Sequence, residues 1–364
     1  MKSTKVLFVF AVAGLCAAAL LTMPEAVTAG AKKGLSICAG VLIPSLFPFL
    51  ALSGFLSSPA IAGMLGRAMR PVTRTLFGLP GECGIVILLS AVGGFPVGAR
   101  MTAKLFAEGR IAQKEAHRLL SFCVNAGPAF LMTAVGAVML GSRRAGFVLF
   151  AATTVSMLLL GMVQGILLPV PAEKRGPVRQ KEAGDDSIAY AFTAAVGDAV
   201  PAMLSICAWM ILFSCLVSVL GNLVQEEPLR RLVFLFAEVT LGAQAAAREG
   251  DVALIAGLVG FGGFCVHCQV LPFVQSTGMP YLRFLLFRCL SGVLSFGVAK
   301  ILLAFFPCDI AKDVALRFSY QIFSVSVPAT LALLFLCAVL ICSLSAQTGG
   351  GDGLKPLKQK TRIG

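Results

Sequence analysis

Polar side chains are scarce in this sequence, and several of those inside apolar runs stand beside glycine or proline. Asn125-Ala126-Gly127-Pro128 interrupts an otherwise apolar segment. Pro128 removes a backbone donor and Gly127 relaxes the chain, so this spacing predicts an unwound helix. Two roles fit Asn125: offering donor and acceptor to a solute, or capping the half-helix that follows. His267 and Gln269 fall in Gly262-Gly263-Phe264-Cys265-Val266-His267-Cys268-Gln269, a glycine-led tip between two apolar arms. Polar groups within membrane spans are functional-site candidates by default. Cys265, His267 and Cys268 stand in an order that invites a metal, but no second ligand pair accompanies them, so no metal and no cofactor is expected. A similar tip, Gly93-Gly94-Phe95-Pro96-Val97-Gly98-Ala99-Arg100, occurs earlier. Arg100 either meets a carboxylate or phosphate or marks the cytoplasmic end of its arm. Glu238 and Thr240 add a carboxylate and a hydroxyl. Glu238 either couples transport to a proton or Na⁺ or lies on a solvated face with Arg230, Arg231 and Arg248. The candidate solute-binding set is Gly93, Gly94, Pro96, Gly98, Asn125, Gly127, Pro128, Glu238, Thr240, Gly262, Gly263, His267 and Gln269. No hydrolase, phosphate-loop or paired-carboxylate pattern is present, so no catalytic residue is assigned and an enzyme is not expected.

The elements that position these residues must be membrane helices. Of 364 residues, 58% are hydrophobic and 13% charged, against about half and a quarter in soluble domains. The net charge of +13 would suggest nucleic acid in a soluble protein. Here the lysines and arginines flank apolar spans, where they set orientation, and nucleic acid is not an expected partner. The twelve cysteines lie mostly in apolar runs and read as reduced packing residues.

Residues 6–23 follow Lys2 and Lys5 and predict an N-terminal transmembrane helix within 1–28. Residues 34–57 are apolar but hold Pro44 and Pro48, which break the backbone ladder. Residues 59–80 carry Arg67, Arg70 and Arg74 and suit an interfacial helix. Residues 100–118 form a basic segment. Spans follow near 121–141 and 145–168. Residues 170–187 read as a hydrophilic linker. After it come 190–221, a mixed stretch at 229–247, an apolar run at 252–275, and spans near 282–305 and 321–345. The tail, 347–364, is basic and is expected to be disordered. The fold class is therefore an all-α polytopic membrane protein with about eight spanning helices.

A shift of 169 residues aligns 81–110 with 250–279 without a gap, with seven identities that include the Gly-Gly-Phe-x-Val core. A shift of 157 lays Gly40–Pro44 over Gly197–Pro201. This predicts two repeats, 29–169 and 188–346, each with a re-entrant helical hairpin whose glycine tip is buried in protein. Internal repeats with interrupted helices are a sign of secondary transporters.

The motifs IPSLFPF (43–49), GGFPVGAR (93–100), EAHRLLSFCVNAGP (115–128), EVTLG (238–242) and GGFCVHCQ (262–269) resemble those of YlbJ-type sporulation integral membrane proteins, within the nucleoside-recognition (Gate) domain group. The resemblance covers roughly residues 30–305. It implies a multi-pass protein of the mother-cell or forespore membrane, linked to spore cortex formation, with paired hairpins around a site for a small, nucleoside-like solute. Transport or sensing of that solute is the leading expectation. The alternative is a non-transporting scaffold or regulator of the cortex machinery. The partners expected are the solute, membrane lipids, other sporulation membrane proteins and a second copy of the chain.

Overall fold

The computed structural model describes residues 21–167 and 188–308, Gln225 apart, with three isolated residues at 14, 17 and 18. The expected linker, the span near 321–345 and the tail lie outside the described residues, as does most of the expected first helix. Of two units into which the chain divides, Met1–Ile322 and Phe323–Gly364, only the first contains described residues.

Every regular element among the described residues is helical. In chain order these are α1 (Pro24–Leu56), α2 (Pro59–Phe77), α3 (Cys83–Gly93), α4 (Phe95–Ala107), α5 (Gln113–Phe122), α6 (Ala129–Met139) and α7 (Arg143–Leu167), then α8 (Ile188–Leu223), α9 (Glu227–Ala237), α10 (Val239–Arg248), α11 (Val252–Phe261), α12 (Gly263–Ser276) and α13 (Tyr281–Phe305). Five stretches are long and apolar enough to cross a membrane: Pro24–Leu56, Arg143–Leu167, Ala189–Leu223, Val252–Ser276 and Tyr281–Phe305. The expected count of about eight drew on spans near 6–23 and 321–345, and on 121–141, which is not one helix.

Pro44 and Pro48 do not break α1. Pro44 lacks the N–H that an α-helix would give to the carbonyl four residues back. The chain absorbs this with a π turn over Cys38–Leu42 and continues to Leu56. Along the same helix, Gly30 and Gly34 bring its backbone against α8. A Cβ on Gly30 would lie 2.6 Å from the Ser214 carbonyl oxygen, and one on Gly34 2.9 Å from Ile211 Cα. Small residues at this spacing let membrane helices pack backbone to backbone.

Helix α2 is amphipathic, as its arginines predict. Arg67, Arg70 and Arg74 are exposed, whereas Ala62, Thr73 and Phe77 are buried. It ends on Gly78 at φ 59°. The Phe77 carbonyl accepts from Arg118 at 3.2 Å. Arg118 is therefore a buried cap, not part of a solvated basic face. Arg110 is also tied locally, to Glu82 at 3.2 Å and Glu108 at 3.4 Å.

The apolar core falls into two clusters, one drawn mainly from α1, α6, α8, α10 and α11 and the other from α2, α3, α4, α5 and α7. Helix α11 runs along α13, whereas α12 packs against α4 and α8. The nine cysteines among the described residues are free thiols.

Candidate functional site

Three irregular places in the chain meet. The first is the turn between α3 and α4. Gly94 adopts φ 86° and ψ −176°, a region open essentially only to glycine, and the chain reverses there. The arms can close because small residues face each other. A Cβ on Gly98 would sit 2.1 Å from Ser90 Oγ and 2.0 Å from the Cys123 carbonyl oxygen. The Ser90 hydroxyl stands 2.7 Å from the Val86 carbonyl and 3.0 Å from that of Cys123.

The second place is the non-helical stretch Cys123–Pro128 between α5 and α6. The unwinding expected from Asn125, Gly127 and Pro128 is present. It runs beside the first turn: a Cβ on Gly127 would lie 3.0 Å from both Gly94 N and the Val92 carbonyl oxygen. Asn125 is buried, and its Nδ2 has no hydrogen-bond partner.

The third place is Glu238, extended between α9 and α10. The mixed stretch at 229–247 is therefore two helices. Glu238 is buried rather than on a solvated face, and its carboxylate accepts from Leu241 N–H at 2.8 Å, capping α10. Gly263 packs against it, since a Cβ there would lie 2.9 Å from Val239 N.

These places enclose a small cavity of about 50 Å³, room for a few waters. Of the expected residues, Gly93, Gly94, Pro96, Gly127, Glu238, Thr240 and Gln269 line it. The other lining groups are apolar, among them Leu46, Leu50, Phe95, Phe130, Ile206 and Met210. Helices α4, α6 and α10 all begin at or beside this cavity, so the positive ends of three helix dipoles converge there. An apolar cavity with few polar groups and convergent helix starts can orient a small solute bearing acceptor groups.

Six expected residues are not in the lining. Gly98 closes the first turn, Asn125 is buried two residues before Gly127, and Pro128 leads into α6. Gly262 and Gly263 form a left-handed bend, φ 94° and 69°, between α11 and α12. His267 faces away from the cavity. One ring nitrogen stands 3.1 Å from the Phe261 carbonyl and the other 3.1 Å from the Tyr281 hydroxyl. A carbonyl only accepts, so Nε2 carries the proton and Nδ1 accepts from Tyr281. The second glycine tip also departs from the expected hairpin: its arms part at the bend and pack on different neighbours.

Arg288 was not singled out by the sequence, yet among the described residues it is the largest fully buried side chain. Its guanidinium donates to the carbonyls of Phe261 (3.0 Å), Gly260 and Val124. It thus joins the end of α11 to the unwound stretch before α6. The available signal was an arginine in the middle of an apolar span.

No family model matches the chain, and no solved structure matches it. The sporulation integral membrane protein YlbJ of Bacillus subtilis (strain 168) is 27% identical over 319 residues, covering 76% of this chain and 77% of that protein. The alignment spans three quarters of both sequences, so over most of its length this chain is similar to a YlbJ-type sporulation integral membrane protein.

Proposed function

We propose that the chain moves or senses a small polar solute across a membrane of the sporulating cell, the mother-cell or forespore membrane, in support of spore cortex formation. The observation that carries this reading is the convergence of three backbone irregularities on one cavity. Unwound backbone at membrane depth is costly unless it lines a cavity or is buried in protein. Glycine at 93, 94 and 127 leaves backbone N–H and C=O groups reachable, and Glu238, Thr240 and Gln269 add the side-chain polarity. A solute with several acceptors, nucleoside-like, suits such a lining. The cavity holds only a few waters, so a solute of that size requires the α3–α4 turn and α12 to move apart. The two repeats and the Gate-type kinship belong to this same reading.

The experiment is a thermal-unfolding panel of the purified, detergent-solubilised chain with nucleosides, nucleobases, amino acids, dipicolinate and cell-wall precursors. A true ligand at about 100 times its Kd stabilises by about 2.7 kcal/mol. The expected result is one chemical class that raises Tm, with the rise lost in Gln269→Leu and Thr240→Val while the unliganded Tm is kept. A well-folded chain that answers to no class, or a rise that survives both variants, rejects the cavity as a solute site and favours the scaffold alternative.

A further inference from the structure

A second and larger cavity, of about 540 Å³, lies between α1, α8, α9 and α10, where α8 ends and α9 begins. Its chemistry is unlike that of the first. Four cations line it: Lys33 from α1, Arg230 and Arg231 from α9, and Arg248 at the end of α10. Arg230 pairs with Glu227, and Arg231 pairs with Glu249 across the two short helices. Among the described residues, Lys33 and Arg248 have no ion pair, and they stand within electrostatic reach of each other. The carboxylate that attracts Lys33 is Glu238, which is buried and already committed to the N-terminus of α10. Two like charges facing one cavity repel, and an anion placed between them removes that repulsion.

A second observation points the same way. Ser214 lies in the cavity wall, 3% exposed, and its hydroxyl has no hydrogen-bond partner. Buried hydroxyls normally have one. Ser218 and Asn222 follow at four-residue steps along the same face of α8 and also line the cavity. Beside the Arg230–Glu227 pair, the wall therefore offers two unpaired cations and neutral donors together, the set that phosphate oxygens accept from most strongly. Basic pockets between membrane helices take phosphate headgroups by this means.

We infer that this cavity is a binding site for a phosphoryl group, held between Lys33 and Arg248 with Ser214 in the inner wall. The phosphoryl group can arrive on an anionic lipid or as a free anion, and one assay separates the two. The purified full-length chain in uncharged detergent is melted with phosphatidylglycerol against diacylglycerol, and with sodium phosphate against sodium chloride at equal ionic strength. The expected result is a saturable rise in Tm with at least one phosphate source and none with the matched control. A rise with phosphatidylglycerol alone makes the ligand a bilayer headgroup. A rise with inorganic phosphate makes it a small anion.

Lys33→Gln and Arg248→Gln should each weaken the apparent affinity roughly tenfold or more, the effect of losing one charged hydrogen bond. Lys33→Arg should retain it. Both side chains are exposed, so neutralising them leaves the fold intact, and the unliganded Tm of each variant checks this. The double variant Arg143→Gln with Arg144→Gln, an equal or greater loss of charge elsewhere, should bind as the parent does. The inference is overturned by any of three results: no saturable rise with either phosphate source, an equal rise with diacylglycerol, or undiminished affinity in both neutralised variants. It stands apart from the central cavity, so failure of the solute panel leaves it unaffected.

Discussion

The two glycine tips carry the same Gly-Gly-Phe-x-Val core and fold differently. At the first, α3 and α4 close on each other; at the second, α11 and α12 part and pack on separate neighbours. The residues eight apart around each tip explain the difference. Ser90 faces Gly98 in the first, where even a methyl group would collide with the Cys123 carbonyl. The aligned positions in the second are Val259 and His267, too large to meet at that distance. The turns differ as well. Gly94 reverses the chain in a region forbidden to other residues, whereas Gly262 and Gly263 make a left-handed helical bend. A shared motif therefore marks where a helix is interrupted, while its flanks decide how the two arms leave the interruption.

Arg288 binds the two regions together, so its removal is expected to have the largest effect. Arg288→Met leaves the Val124 and Gly260 carbonyls without this donor and Phe261 with His267 alone. Two buried carbonyls left unsatisfied at about 2 kcal/mol each give an expected loss of about 4 kcal/mol in unfolding stability; a loss below about 1 kcal/mol in chemical or thermal unfolding would mean that the two regions are not coupled through this side chain. Next comes Gly98→Ala, which forces the first pair of arms apart and should cost about 3 kcal/mol. Cysteine cross-linking of Ser90→Cys with Val97→Cys before and after that change would report whether the arms open. An unchanged cross-linking rate would argue against the closed turn. The smallest effect, and the sharpest comparison, uses one substitution at both tips. Gly94→Ala should cost about 2 kcal/mol because its backbone conformation is closed to alanine. Gly262→Ala should cost about 1 kcal/mol, since left-handed helical backbone is strained but allowed and the space there is ordinary contact distance. Equal losses in paired melting curves would erase the distinction between the turns.

Sequence reasoning reached the helical membrane class because apolar runs of this length have few other stable outcomes. It also reached the unwound stretch at 125–128, since the chemistry of Gly127 and Pro128 is local. Seven of the candidate residues share one cavity, yet the motifs alone could not separate them from Gly98 and His267. Facing direction depends on which neighbour each helix packs against. Pro44 and Pro48 stand where the hydrogen-bond ladder is interrupted, as their chemistry predicts, but the helix continues because a π turn over Cys38–Leu42 absorbs the missing donor.

What the residues determined by themselves were the composition of a bilayer-spanning chain, the exposed arginine face of α2 and the sites of backbone interruption, each set within a few neighbours in the chain. Only the tertiary structure decided that Glu238 is buried beside Gly263, that Arg288 closes three carbonyls from two distant segments, and that Lys33 and Arg248 face one cavity. Those outcomes depend on helices far apart in sequence, and the energy of a buried charge is settled by what the whole fold brings to it.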